Sequence, residues 1–427
     1  MSLKRIVIIG GGISGLTVAY ELSRLKRAEN LPVEITLLEA ENRLGGVIES
    51  IRQQDGCLFE CGPDSFISEK PAALELCREL GIEREVIGTR PENQRSYVFS
   101  GGRLHPVPEG FYLIAPVRIG TLFELPFVSW PGKFRMACEP FIPRKKDPGD
   151  ESVGDFIRRR FGRETLEKIG QPMLSAVYGG DVARLSLQAT FPRFRMMEEK
   201  YGSVVLALRA LKKERSAEGS ASGPRYSLFL ALENGLEVLV QRLTDRIRFD
   251  VRVMTGAKAV SLGRTERGWR IALQKGMPVE TDLVCCALPA PVAAPLLRTA
   301  VPELSALLEG IRYESVVTVN LVFRRADIPS FVNGFGFVVP ETEKSSVIGC
   351  TFSSCKYSNR APENLFALRL FLGGNADPDL WRGDDSAILD LALRELRRLA
   401  GIAAEPVACL VRRYPEAMPQ YEVGHFE

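Results

Sequence analysis

Six residues near the start of the chain constrain it most: Gly10-Gly11-Gly12-Ile13-Ser14-Gly15, set between an apolar segment and a helix-like one. Lys4 to Gly10 reads as a buried strand, Gly12 to about Lys26 as a helix and Val33 to Leu38 as a second strand, which makes one βαβ unit. In that setting the G-x-G-x-x-G spacing has a mechanical meaning. Gly10 permits the tight turn, Gly12 lets the backbone approach a pyrophosphate, and Gly15 lets the helix pack close to the strand. The helix start offers unpaired N–H groups and a positive dipole end to phosphates. Glu39, at the end of the second strand, can accept the hydroxyl hydrogens of an adenosine ribose. A glycine triplet can also be a plain strand-to-helix turn, and it is the flanking strand, helix and acid that favour a dinucleotide site. The fingerprint by itself does not choose between FAD and NAD.

Composition narrows the chemistry. A chain of 427 residues exceeds what one core usually serves, so two or three domains are expected. With 56 basic and 53 acidic residues, a formal charge of +3 lacks the strongly basic footprint of a nucleic-acid binder. Only two histidines occur, His105 and His425, which excludes a His-rich metal site and disfavours a His-based triad. The nine cysteines form no C-x-x-C and read as reduced, mostly buried thiols. Met1-Ser2-Leu3-Lys4-Arg5 runs straight into the first strand without a signal-peptide pattern, so a cytoplasmic location is expected. The reaction must come largely from a cofactor.

Further along, Lys70 to Leu80 reads as a helix closed by Gly81. From Arg90 to about Lys213 the pattern becomes mainly helical, notably around Val153 to Leu174, and no apolar run reaches the ~18 residues that cross a bilayer. The stretch Lys212 to Pro224 is small and polar and reads as a surface loop. Strand patterns follow at Asp250 to Leu262, Trp269 to Leu273, Leu283 to Ala287, Val316 to Phe323 and Phe335 to Val339, and Asp384 to Leu399 reads as an amphipathic helix.

Just beyond Glu39 stands Glu41-Asn42-Arg43-Leu44-Gly45-Gly46. This doublet resembles the second fingerprint of two-domain FAD oxidases and desaturases, with Arg43 near the cofactor's phosphate or ribose region. A longer set of segments carries the resemblance further. They are Glu60-Cys61-Gly62-Pro63-Asp64-Ser65-Phe66, Arg103-Leu104-His105-Pro106-Val107-Pro108, Tyr178-Gly179-Gly180-Asp181 and Leu185-Ser186. Later come Gly334-Phe335-Gly336-Phe337, Val339-Pro340, Arg360-Ala361-Pro362, Gly373-Gly374 and Pro419-Gln420-Tyr421. Nearly end to end, the chain resembles the FAD-dependent protoporphyrinogen and coproporphyrinogen oxidases of heme biosynthesis.

The resemblance implies an α/β fold of two-domain flavin-oxidase architecture: a Rossmann-type FAD-binding domain, a sheet-based substrate domain and a helical insertion. The expected boundaries are 1–88, 224–290 and 401–427 for the FAD-binding domain, 89–104 and 291–400 for the substrate domain, and 105–223 for the helical part, which docks on membranes in some members. It implies FAD-driven oxidation of a porphyrinogen in three hydride-removing rounds, with dioxygen or another acceptor reoxidising the flavin. A homodimer and a peripheral contact with the inner face of the membrane are compatible with it. Few catalytic side chains are expected, because the cofactor does the difficult chemistry.

By the same resemblance Arg95 pairs with a substrate propionate, Phe352 stacks on a pyrrole, Val316 and Val332 grip the macrocycle, and Tyr178 and Gly179 lie against the flavin face. Cofactor contacts carried over are Gly10, Gly11, Gly12, Ile13, Ser14, Gly15, Glu39, Ala40, Arg43, Gly45, Gly46, Gly62, Pro63, Asp64, Ser65, Ala259 and Tyr414. The family usually has valine at the position of Ala259 and tryptophan at that of Tyr414. The given chain stops at Glu427, before the last strand, turn and helix that the resemblance implies, and weak FAD retention is the corresponding expectation. The alternatives are another flavin oxidoreductase of the amine oxidase or phytoene desaturase type, and a FAD-deficient porphyrin-binding partner protein. Arg95 argues against a carotenoid substrate, which has no carboxylate to pair.

Overall fold

A computed structural model describes residues 3–427 apart from 109–110, 113, 117–118 and 218–227. The chain divides into two compact units, residues 1–88 with 226–312 and residues 89–225 with 313–427.

The first unit is built on a four-stranded parallel sheet in the order Val251–Met254, Val33–Leu38, Lys4–Ile9, Leu283–Cys286. Its two central strands end in buried apolar runs, Val7-Ile8-Ile9 and Leu37-Leu38, because both faces are covered there. Ile8, Ile35 and Leu37 bury against Leu16 and Ala19 of the helix Ile13–Glu29 and Leu239, Leu243 and Ile247 of the helix Glu237–Ile247. On the other face Val7, Ile9 and Leu38 meet Leu262 and Ile271 of a three-stranded antiparallel meander. The expected strand Asp250 to Leu262 breaks in two, at Met254 and again from Ala259, because Gly256 turns with φ +65°. Residues 291–312, expected in the substrate domain, belong here. The helices Ala290–Leu297 and Pro302–Glu309 follow the last parallel strand directly, and Ala293, Leu296 and Leu297 fill the meander's core.

The second unit holds a seven-stranded sheet ordered Ala408–Pro419, Tyr313–Arg324, Leu365–Gly373, Val347–Thr351, Gly336–Val338, Ser96–Ser100, Arg103–Pro106. One face is a continuous apolar layer. Val317, Val319, Leu321 and Phe323 pack with Leu368, Leu370 and Leu372 under Ile388, Ala392 and Leu396 of the helix Asp385–Ala400. By strand alternation the other face carries Val316, Thr318 and Asn320, then Arg369 and Phe371, then Arg412 and Tyr414. The expectation that residues 401–427 join the FAD-binding domain is not met in this unit division. Instead the strand Ala408–Pro419 pairs along Tyr313–Arg324 and completes this sheet, giving that central strand a hydrogen-bonded neighbour on both sides.

The helical portion of this unit surrounds Phe156, Ile157, Phe161, Leu174, Phe194 and Met197. A charged network is buried beside it. Arg160 and Glu139 are both fully buried, Arg160 Nε donating to Glu139 Oε1 at 2.6 Å, while Arg159 donates twice to Glu198 at 2.7 and 2.9 Å. Burial pushes the Glu198 carboxyl upward, but the hydrogen bonds and charge of Arg159 outweigh it and hold the group below the usual range. The expected loop at 212–224 is overturned at its start, since the helix Val204–Ala217 runs through Lys212 and Lys213; its remainder lies outside the described residues. Among the described residues no helix is long and apolar enough to cross a membrane.

Candidate cofactor and substrate site

The glycine turn of the first unit is shaped by close backbone approach. A Cβ on Gly15 would stand 1.9 Å from the Gly10 carbonyl oxygen, and one on Gly10, whose φ is +108°, would stand 2.5 Å from the Ala287 carbonyl oxygen. Neither position accepts a side chain. Gly11 is closed by side chains rather than backbone, its would-be Cβ meeting Leu44 at 2.6 Å and the Glu39 carboxylate at 2.9 Å. Gly12 differs: nothing stands within 4 Å of its would-be Cβ. Space is therefore kept open at the one glycine that the spacing assigned to the pyrophosphate.

Gly12 also caps the helix Ile13–Glu29, with no side chain supplying a capping bond and no acidic residue in the first turn. The first backbone bond is Leu16 N–H to Gly12 C=O at 2.9 Å, so the N–H groups of Ile13, Ser14 and Gly15 precede the intrahelical ladder. Ser14 is exposed and Gly12 and Ile13 are half-buried. This cradle fits a dinucleotide phosphate: donors, a positive dipole end and no competing side chain.

Glu39 closes the cradle's other side. Its Oε2 accepts from Gly11 N–H at 2.7 Å and its Oε1 from Glu41 N–H at 2.8 Å, which fixes the carboxylate beside the turn. Gly45 N–H donates to Gly11 C=O at 2.8 Å, and Gly46, at φ +58°, lies with Gly12 Cα 3.2 Å from its would-be Cβ. The Gly45-Gly46 doublet thus lies directly on the Gly10-Gly11-Gly12 turn. Arg43 is exposed and donates to the carbonyls of Leu44, Ile48 and Gly46, so it shapes the doublet loop. Ala40 is exposed next to Glu39.

The segment Gly62 to Ser65 follows the strand Leu58–Glu60, and Ser65 Oγ donates to Asp64 Oδ1 at 2.7 Å; Pro63 is exposed. Ala259 begins the meander at a bulge and is half-buried. Tyr414 stands apart from these in the fold's organisation. It lies in the second unit, directly opposite Val316 across two sheet strands, on the same face as that expected substrate residue.

The expected substrate residues all fall in the second unit. Arg95 is exposed, but its backbone is locked: its carbonyl accepts from Phe335 N–H at 2.7 Å, and a Cβ on Gly334 would approach that same oxygen to 2.5 Å. Val316 is half-buried on the sheet's mixed face. Val332 and Phe352 are each 0% exposed and belong to the apolar layer, Phe352 between Phe337 and Phe366 with ring centroids 5.9 and 5.7 Å away. In this conformation neither presents a surface to a ligand.

Tyr178 ends the helix Gln171–Tyr178 and is half-buried, with Phe191 and Tyr421 edge-on at 5.7 and 6.3 Å. Burial, and then the neighbouring Tyr421, pushes its phenol upward. Gly179 closes the helix at φ +70°. Three consecutive carbonyls here each accept one bond, Tyr178 from Gln420 Nε2 at 2.9 Å, Gly179 from Asn375 N–H at 2.9 Å and Gly180 from Ser175 Oγ at 3.1 Å. Sequence reasoning singled out the surrounding motifs but gave Gln420 and Asn375 no part. Gln420 lies 242 residues beyond Tyr178, Asn375 is similarly remote from Gly179, and no local pattern links them.

Comparison with known proteins fits this geometry. The model of the family described as flavin containing amine oxidoreductase matches residues 13–426. The chain is 33% identical to the coproporphyrinogen III oxidase of Bacillus subtilis, over 99% of this chain and 88% of that protein. It is 32% identical to the protoporphyrinogen oxidase of Bos taurus, over 99% and 89%. A crystal structure from an Exiguobacterium species, provisionally named a protoporphyrinogen oxidase, superposes with a TM-score of 0.86 at 29% identity over 100% of this chain and 89% of that one. With a glycine triplet and a glycine doublet packed into one cradle, and the family model matching residues 13–426, this chain is a member of the flavin-containing amine oxidoreductase family.

Proposed function

We propose that this protein binds FAD on the glycine cradle of its first unit and oxidises a porphyrinogen to the porphyrin in heme biosynthesis, taking either coproporphyrinogen III or protoporphyrinogen IX. The observation that carries the reading is full-length similarity to enzymes named for those two substrates, together with the open cradle at Gly12. Bound FAD supplies the hydride acceptor. The chain's own residues bind and orient. The N–H groups of Ile13 to Gly15 hold the pyrophosphate, Glu39 accepts the ribose hydroxyls, and Arg95 pairs with a propionate through a charged, bidentate contact. Val316, Tyr178 and Gly179 line the macrocycle's place, and dioxygen is the proposed final acceptor.

A peripheral membrane contact belongs to the same proposal. Phe123, Trp130, Phe134 and Phe141 are 65 to 85% exposed, and Lys133 Nζ sits 4.9 Å over the Trp130 ring, an aromatic and cationic surface suited to lipid headgroups. A homodimer is the proposed oligomeric state.

The test is an assay of the FAD-loaded protein with both porphyrinogens and a panel of primary and secondary amines. The expected outcome is porphyrin fluorescence that grows in air and flavin absorbance that bleaches when a porphyrinogen is added anaerobically. Bleaching by an amine, with neither porphyrinogen oxidised, would replace this reading with an amine oxidase.

A further inference from the structure

The motif Gly334-Phe335-Gly336-Phe337 folds against the segment that carries Arg95, and Asn333 just before it reaches the Tyr97 hydroxyl. We infer that Tyr97 is a positioning residue: its hydroxyl, oriented by Asn333, receives one N–H of the Arg95 guanidinium and leaves the others set for a carboxylate of the bound substrate. The inference rests on the porphyrinogen reading, with Arg95 as the propionate anchor, and says what holds that anchor in place.

The geometry starts from the backbone. The strand Gly336–Val338 runs parallel to Ser96–Ser100, with Phe337 opposite Tyr97. Just ahead of it Phe335 N–H donates to the Arg95 carbonyl at 2.7 Å, and a Cβ on Gly334 would stand 2.5 Å from that oxygen and 3.2 Å from the Tyr97 ring. At φ +93°, Gly334 is the residue type that lets the chain lie so close. Residues 333 to 335 therefore touch both members of the pair: Phe335 holds Arg95 by its carbonyl, and Asn333 holds Tyr97 by its side chain.

Tyr97 itself has little freedom. Its ring is half-buried against the apolar layer under the helix Asp385–Ala400, and its hydroxyl donates to Asn333 Oδ1 at 2.7 Å. A phenol has one hydrogen, so once that hydrogen is committed to Asn333 the oxygen can only accept. Arginine offers only donors. The two are within reach of each other, since the Arg95 guanidinium acts on the phenol by its charge and by a hydrogen bond.

The pair is suited to holding an anion rather than to neutralising itself. Burial pushes the Tyr97 phenol above its ordinary value and outweighs the pull of Arg95, so at neutral pH its oxygen is an uncharged acceptor. The guanidinium keeps its full charge for a ligand. Arg95 is exposed, and among the described residues no carboxylate pairs with it. Arg160 shows the opposite case, its buried guanidinium taken up by Glu139 and Glu198. After one N–H is given to Tyr97, the planar fork of Arg95 still has donors for two parallel bonds to a carboxylate. Without the phenol the side chain would lose more rotamer freedom on binding.

The experiment uses the FAD-loaded full chain with both porphyrinogens. Tyr97→Phe keeps the ring and removes the acceptor. KM should rise roughly two- to tenfold, the loss of about one hydrogen bond, with kcat changed by less than about twofold. Asn333→Ala leaves the hydroxyl without its orienting partner, so it should raise KM by a smaller factor and add nothing in the Tyr97→Phe protein. The deciding comparison is made on Arg95→Ala, where Tyr97→Phe should change KM no further, because Tyr97 acts through the guanidinium. Asn333→Ala gives the same comparison should Tyr97→Phe fold poorly. An equal rise in KM with and without Arg95, or a lowered melting temperature with unchanged KM in Tyr97→Phe, would reduce Tyr97 to a structural residue and leave the porphyrinogen reading intact. Unchanged kcat/KM in Arg95→Ala would remove the anchor and this inference with it. If the unsubstituted protein oxidises neither porphyrinogen, the porphyrinogen reading fails as well.

Discussion

The glycine cradle of the first unit and the residues proposed to meet the substrate in the second are built by opposite means. In the cradle, function is a backbone shape: Gly10, Gly11 and Gly15 are glycine because another atom already occupies the place of a side chain, and Gly12 because that place is kept empty. In the second unit, function depends on which side chains a long sheet turns outward. Val316 emerges on the mixed face while Val332 and Phe352, expected beside it, go into the apolar layer under the helix Asp385–Ala400. A site made of backbone proximity is written in local spacing. A site made of side-chain direction is written in registers that span hundreds of residues.

The sharpest test of the first half of this comparison sets two glycines against each other. Gly12→Val should fold, since nothing stands within 4 Å of its would-be Cβ and its φ of −71° with extended ψ suits valine, yet it should lose stoichiometric FAD entirely. Gly15→Val should fail to fold, because its side chain would meet the Gly10 carbonyl. Flavin absorbance after gel filtration and a melting curve read both. A yellow, stable Gly12→Val protein would remove the cradle from the cofactor site.

A second test bears on the other half. Phe352 is 0% exposed and touches Phe337 and Phe366, so Phe352→Ala should cost about 3–5 kcal/mol of stability, the usual loss for an aromatic removed from a core. Denaturant unfolding measures it. If stability is unchanged and only KM for the porphyrinogen rises, Phe352 reaches the ligand by a movement that this conformation lacks, and the resemblance is right about its role.

Much of the first unit was legible because its signals are short-range. The strand, the glycine turn and the helix expected to about Lys26 follow from period and spacing alone, and the helix runs on to Glu29; Glu39 stands just past the second strand with its carboxylate held by Gly11 N–H. The boundaries after Cys286 were not legible. Whether Ala290–Glu309 joins the meander, and whether Ala408–Pro419 joins the sheet, is decided by which partner offers an uncovered apolar face or an unpaired strand edge. Gln420 shows the same limit at one residue. Its motif was noticed, but its contact with Tyr178 exists only once the chain has folded back across the whole unit.

Arg95 tests where the comparison is least one-sided, because its backbone is as constrained as the cradle while its side chain is exposed. The Arg95 carbonyl is held by Phe335 N–H, and Gly334, at φ +93°, is closed against it. The preceding Asn93 is tied by Nδ2 to the Cys355 carbonyl at 2.9 Å, and Tyr97 beyond it donates to Asn333 Oδ1 at 2.7 Å. An exposed guanidinium on so fixed a base loses less conformational freedom on binding than one on a mobile loop. Solvent reaches it in the free protein, so the contact is worth less than a buried ion pair. Arg95→Ala should therefore raise KM for either porphyrinogen by about tenfold with a smaller fall in kcat, the pattern of a contact made mainly, though not wholly, alike in ground and transition states. Arg95→Lys should recover part of the loss, since charge returns without the planar fork. Melting temperature should hardly move, because no core contact is lost. Steady-state kinetics at matched flavin occupancy decide it. An unchanged kcat/KM for both substrates in Arg95→Ala would mean that the locked backbone at 95 serves the sheet alone and that another cation anchors the propionates.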